Sequence, residues 1–157
     1  MEAGLDFSTF YRAEYQRVFK AIVLSCGDRD MAHEVTQDAF AHAYVRWRRL
    51  SRKEWAGGWV MTTALNMMRK EGKRRSTFSP NVAEGAHPVE SLNAKDLDLV
   101  KALRGLAPRQ RTAVVLHYLE DMPVDMIATQ MHIAPGTVKA LLFQARKNLQ
   151  KDLRDES

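Results

Sequence analysis

The chain has 157 residues, 24 of them Lys or Arg and 19 Asp or Glu, for a formal net charge of +5. That length suits one ordinary domain or two small helical ones, and the basic excess suits a polyanionic partner if it is concentrated in one place. The single cysteine, Cys26, excludes an internal disulfide framework and a cysteine-based zinc site.

None of His33, His42, His87, His117 and His132 pairs with a carboxylate or thiol at ligand spacing, so no metal and no cofactor is expected. Nor is there a Gly-rich phosphate loop, a nucleophile elbow or a paired-carboxylate pattern, which argues against an enzyme. The opening MEAGLDF is acidic where a secretory signal is basic, and apolar runs such as Ala21 to Leu24 are far too short for a bilayer. The expectation is a cytoplasmic protein with no membrane segment.

From Phe7 to Ile22 the residues Phe7, Phe10, Tyr11, Tyr15, Val18, Phe19 and Ile22 recur three or four apart, which predicts an amphipathic first helix. Gly27 stops it, and Asp28 or Asp30 caps a second helix running to about Arg48. Val35, Ala39, Phe40, Ala43, Tyr44 and Trp47 line its inner face. A third helix is expected from about Ala56 to Lys73, with Trp59, Val60, Thr63, Ala64, Met67 and Met68 on its apolar side. From Ser76 the stretch STFSPNVAEGAHP loses the periodicity and carries two prolines and a glycine, so it reads as an interdomain linker.

Helical pattern resumes near Ser91 with Leu92, Leu97, Leu99, Val100 and Leu103, pauses at Ala107 and Pro108, and continues from Thr112 to Leu119. Shorter helices follow at about Val124 to Met131 and Pro135 to Leu153. The fold class is therefore all-α, with two small helical domains joined by a flexible linker. The units are residues 5–75 and 91–155, with 76–90 between them.

The last two helices have the marks of a helix-turn-helix: a small residue at the crossing, Ala128, and apolar residues that lock the pair, Ile127, Met131, Ile133, Val138 and Leu142. His132 takes the turn position, where glycine is usual but histidine is among the few other residues that adopt positive φ. Pro135 suits the first turn of the second helix. A helical hairpin in any bundle shares much of this spacing, but Lys139, Arg146, Lys147 and Lys151 add a phosphate-facing surface. Thr137 and Phe143 complete its candidate DNA face. Ala134, Pro135, Gly136, Ala140 and Phe143 stand where such helices read bases, and they offer few side-chain hydrogen bonds, so direct base readout should be thin.

The basic excess gathers elsewhere. Arg46, Arg48, Arg49, Arg52, Lys53, Arg69, Lys70, Lys73, Arg74 and Arg75 are opposed only by Glu54 and Glu71 between the second and third helices. Trp55 and Trp59 stand among them, as stacking on unpaired bases requires. Trp59 also lies on the apolar side of its helix, so core packing is the competing reading there, and Trp55 is the better stacking candidate.

From Leu103 through GLAPRQRTAVVLHYLEDMPVDMIATQMHIAPGTVKALLFQARKNL the chain resembles the C-terminal DNA-binding region of extracytoplasmic-function sigma factors, a branch of the sigma-70 family of bacterial RNA polymerase. AHEVTQDAFAHAYVRWRRL, from Ala32 to Leu50, is similar to the family's core-polymerase-binding helix. GGWVMTTALNMMRKEGKRR, from Gly57 to Arg75, is similar to its promoter-melting helix. These segments follow the family's order over nearly the whole chain.

The resemblance implies a dissociable subunit that binds the clamp and flap of core RNA polymerase and directs promoter-specific transcription initiation. Residues 5–75 would be the region 2-like domain that binds polymerase and recognises and melts the minus-ten element; residues 91–155 would be the region 4-like domain on the minus-thirty-five element. It carries the clamp contact over to Glu34, Gln37 and Asp38, which otherwise read as the solvated face of a helix, and a flap contact to Leu106 and Tyr118. Asn66 matches the asparagine that holds a flipped promoter base, against the plainer reading of a surface asparagine. The set expected at DNA is thus Arg49, Arg52, Lys53, Trp55, Trp59, Asn66, Arg69, Lys70, Lys73 and Arg74, with Thr137, Lys139, Phe143, Arg146 and Lys147 upstream.

Three of the family's arginines are replaced, by Leu65, Leu141 and Gln144, and a small hydroxyl residue by Ala140. Family members are commonly held by an anti-sigma factor that wedges between or wraps the two domains, a partner the linker would permit. Two other functions stay open: a sigma-like accessory regulator without promoter choice, and a stand-alone helix-turn-helix transcription regulator.

Overall fold

In a computed structural model, residues 6–78 and 94–155 are described, with side chains over 6–74 and 98–151. Helix α1 spans Phe7–Cys26, α2 Arg29–Val45, α3 Trp47–Leu50 and α4 Ala56–Phe78. Beyond the linker come α5, Ala94–Arg104, and α6, Pro108–Val114, which runs into a π-helical turn at Val115–Leu119. The helix-turn-helix is α7, Val124–Met131, followed by α8, Pro135–Asp155. Among the described residues there is no strand, and no helix is long and apolar enough to cross a membrane.

Helix boundaries follow from local chemistry. Gly27 ends α1 at φ 70°, its amide donating to Val23 O at 2.7 Å. Of the two candidate caps for α2, Asp28 does the work, its Oδ1 accepting from the Met31 amide at 3.1 Å. Pro108 opens α6 rather than interrupting a helix, because the first turn needs no amide hydrogen there. Helix α4 continues to Phe78, so the first residues assigned to the linker are helical; positions 79–93, which include the remainder of the linker and Ser91 and Leu92, lie outside the described residues.

In the first half, Phe10, Tyr11 and Phe40 bring their rings together, with centroids 5.9 Å apart for Phe10 and Phe40 and 4.9 Å for Tyr11 and Phe40. Val60, Met61, Ala64, Leu65 and Met68 of α4 close this core. Tyr44 departs from the inner face expected of it. Its ring meets Phe7 edge-on at 5.1 Å, yet it is 66% exposed, one residue before the end of α2 at Val45.

The second half encloses Ile127, Ala128, Val138, Leu142 and Ala145, with Val114, Val115 and Leu116 beneath them. His132 turns the chain between α7 and α8 at φ 58°, ψ 44°, with its amide on Thr129 O at 3.3 Å. A side chain in that left-handed well carries a cost glycine avoids. His132→Gly should therefore raise stability by about 0.5–1 kcal/mol, read as a higher urea midpoint at unchanged slope.

The two halves do not close separate cores. Their buried residues form one continuous apolar cluster, and a seam runs between α1 and α4 on one side and α5, α6 and the π-helical turn on the other. A methyl group at Gly27 would stand 3.1 Å from Val100 Cγ1, and one at Gly58 only 2.3 Å from Met122 Cε. At both glycines a methyl group would make the neighbouring side chain shift. Arg111 crosses the seam to donate to Ser25 O at 3.2 Å, and its remaining nitrogens donate to Leu103 O at 3.0 Å, Leu106 O at 3.2 Å and Arg104 O at 3.3 Å. The apolar positions Val100, Leu103, Leu116 and Met122, too many for the small second half to cover, are buried in this arrangement.

Candidate nucleic-acid interface

Leu65, Ala64 and Met68 pull one side of α4 into the core, which leaves Asn66, Arg69, Lys70 and Lys73 on the opposite, exposed side. Their offsets of three, four and seven residues put the amide and the cations on one stripe. Arg74 sits beside that stripe and donates from Nε to Glu71 Oε2 at 3.1 Å. Leu65, 1% exposed, occupies a core position, so no backbone contact is available from it.

Buried Leu50 anchors α3, and Arg49, Arg52 and Lys53 project around it into solvent. Trp55 and Trp59 are both half-buried and packed against the core. The Arg46 guanidinium lies 6.0 Å from the Trp59 ring centroid, a cation over an aromatic face. Each indole thus has one side packed in the protein, and Trp59 also meets a cation of the basic surface.

On α8, Lys139, Phe143, Arg146 and Lys147 follow helical spacing along one exposed stripe, with Thr137 exposed in the first turn beside it. Phe143 is 60% exposed, and Lys147 Nζ stands 5.8 Å from its ring centroid. A ring held out in water beside a cation offers apolar contact in place of hydrogen bonds. Leu141 is half-buried against the core and Gln144 is exposed.

Two contacts join residues that the sequence treats separately. Arg146 Nε donates to the Tyr118 hydroxyl at 2.7 Å, and its guanidinium lies 5.8 Å from the Tyr118 ring centroid. A residue expected at polymerase therefore holds one expected at phosphate. On α2, Glu34, Gln37 and Asp38 share an exposed face; His33, beside them, lies 2.7 Å through Nδ1 from the Tyr15 hydroxyl and 3.4 Å through Nε2 from Gln37 Nε2. His33 and Tyr15 escaped sequence reasoning, since a polar link between two helices leaves no periodic trace. Leu106 is 2% exposed and belongs to the core, so Tyr118, 51% exposed, is the accessible residue of the flap pair.

Burial pushes the Cys26 thiol up to about 11, consistent with a small buried hydrophobe at a helix end. Among the described residues no three His, Cys, Asp or Glu side chains group to hold a metal ion.

Residues 96–149 match the family model for sigma-70, region 4. Over 95% of its length the chain is 26% identical to the RNA polymerase sigma-E factor of Streptomyces coelicolor, covering 86% of that protein. It is 22% identical to the ECF RNA polymerase sigma factor SigW of Bacillus subtilis, with 98% of this chain and 90% of that one aligned. Among solved structures, the sigma factor RpoE of Bartonella quintana, in complex with the anti-sigma factor NepR, superposes with a TM-score of 0.78 over 95% of this chain and 97% of that one, at 21% identity. Residues 96–149 are thus a sigma-70 region 4 segment, and the chain as a whole is similar to extracytoplasmic-function sigma factors. Sigma factors are DNA-binding transcription factors.

Proposed function

We propose that this chain is a sigma factor that binds core RNA polymerase through the α2 face of Glu34, Gln37 and Asp38 and directs transcription initiation in the cytoplasm, with no catalytic site of its own. Residues 5–75 would engage and melt the minus-ten element, and residues 91–155 would hold the minus-thirty-five element. The observation that carries this reading is the pair of separate basic stripes. One, on α4, includes an exposed amide at Asn66; the other lies on the second helix of a helix-turn-helix. Single-strand capture and duplex anchoring need those different chemistries. Purified protein added to core polymerase should start transcription at discrete promoters of its own genome. Stable core binding without any discrete start would overturn the reading.

That outcome would favour an accessory regulator that occupies polymerase without choosing promoters. One observation supports this second reading: Ala140, Leu141 and Gln144 leave α8 few base-reading groups. Failure to co-purify with core polymerase would instead leave a stand-alone helix-turn-helix regulator. The structural neighbour is bound to an anti-sigma factor, and the same kind of partner, wrapping the two halves, suits this chain.

On α8 the anchoring is chiefly electrostatic. Lys139→Ala should weaken binding on all sequences alike and reduce the slope of log affinity against log salt by about 1, as for a lost phosphate contact. A loss confined to one promoter sequence would show that Lys139 reads a base instead.

A further inference from the structure

At the middle of the seam two carboxylates converge on one glycine. A Cβ at Gly57 would lie 3.0 Å from Glu120 Oε1 and 3.2 Å from both Cδ and Oε2 of Glu14. Glu14 comes from α1, Gly57 from the first turn of α4, and Glu120 from the end of the π-helical turn. Glu120 is only 6% exposed, and Oε2 of each carboxylate is buried without a hydrogen-bond partner. The opposing charge is slight, since Arg17 Nη1 reaches Glu120 Oε1 only at 3.9 Å and is itself half in solvent. Asp121, next in sequence, adds a second negative neighbour. The N-terminus of α4 favours an anion modestly, and Gly57 brings no ionisable group.

We propose that Glu120, facing Glu14 across Gly57, is a proton-operated latch on the seam, which holds the two halves together when the Glu120 carboxyl is protonated and releases them when it is ionised.

An ionised Glu120 held from water beside the half-buried Glu14 is costly. A proton on Glu120 removes one of the two charges. Burial, with Glu14 as the next cause, pushes the Glu120 carboxyl up from 4.5 to about 7, with Arg17 opposing. Opening the seam returns Glu120 to water and to its ordinary value. The closed state thus binds the proton more tightly than the open one, so closure is fully favoured at acid pH and weakens as pH rises through about 7.

The device is placed to matter. Met122, two residues after Glu120, packs against Gly58 beside Trp55, so the closed seam covers the start of the α4 surface. The consequence for promoter melting rests on the sigma-factor reading; the latch itself does not.

The test is small-angle scattering with circular dichroism on the full chain from about pH 4 to 8.5, a span that brackets both values of the Glu120 carboxyl. At the acid end the radius of gyration should be about 15 Å, as for a compact chain of this length. It should rise by several ångströms between about pH 4.5 and 7, the interval separating the open and closed values of Glu120, with the helical signal unchanged and the closed-to-open ratio falling at least about tenfold. Glu120→Gln keeps the shape without the charge and should stay compact throughout. Glu14→Gln removes the like charge and should move the midpoint to lower pH.

A flat profile in the natural protein, or the same titration in Glu120→Gln, overturns the proposal. So does expansion accompanied by loss of helix. If Glu120→Gln does not fold, Glu14→Gln decides, and an unmoved midpoint counts against the latch. Because no polymerase is involved, a chain that opens with pH yet starts no transcription would retire the functional reading alone.

Discussion

Replacing Arg111 by methionine should lower stability by about 3 kcal/mol. Its guanidinium donates to four main-chain carbonyls, of Ser25, Leu103, Arg104 and Leu106. Three of these belong to the end of α5 and the turn after it, where a helix leaves its last carbonyls without internal partners. The fourth belongs to the last turn of α1, across the seam. A methionine fills similar volume and satisfies none of them; Leu103 O keeps the Leu106 amide and Arg104 O is open to water, but the part-buried carbonyls of Ser25 and Leu106 lose this donor.

Calorimetry should show a fall in Tm of roughly 6–12 °C for a chain of this size. Arg111→Lys should recover only a minor part, because an ammonium on a flexible stem cannot spread its donors over the same fork. If Arg111→Lys is as stable as the natural protein, charge rather than the planar fork is what matters. A loss below about 1 kcal/mol in Arg111→Met would mean that water replaces the bonds, as it does at exposed sites.

The second large effect is on promoter opening. Asn66→Ala should slow formation of the open complex roughly tenfold to a hundredfold, the worth of about 1–3 kcal/mol for a good amide-to-base contact, while upstream binding is unchanged. Asn66 suits this test because its side chain is exposed and its neighbour Leu65 carries the packing; alanine at an exposed helix position leaves the fold intact. Permanganate reactivity of unpaired thymines reads opening, and gel retention on the upstream duplex reads anchoring. Equal loss of both would show that the halves do not divide the labour. Trp55→Ala should act in the same direction but with a stability cost, since Trp55 also packs on the core.

The helical periodicity made the elements legible, and where a cap was written in the chain its position could be read closely: Asp28, Gly27 and Pro135 all stand where chain-local chemistry requires. His132 at φ 58° was foreseeable for the same reason. The basic stripe of α4 was legible because burial of Leu65 and Met68 fixes which side faces out.

What periodicity could not show is which apolar residues meet across the linker. Val100 and Leu103 read as the core of their own half, and only the fold reveals that Val100 abuts Gly27 and that Met122 reaches Gly58. Leu106 and Tyr118, grouped by resemblance, separate in space, one into the core and one to the surface. Arg146 and Tyr118 meet from positions 28 residues apart, and Glu120 looked like any loop carboxylate. Each of these depends on a long-range pairing that leaves no local pattern.

The π-helical turn at Val115–Leu119 sets the rotational phase of everything after it. Its wider winding accommodates one extra residue relative to an α-helix, and Asp121 at φ 54° then reverses the chain. The same residues wound as an ordinary α-helix would swing Glu120 and Met122 by about 100° around the axis, off α4 and into water. The contact between the two halves at this point thus depends on the winding of one turn that contains no residue of the α4 surface.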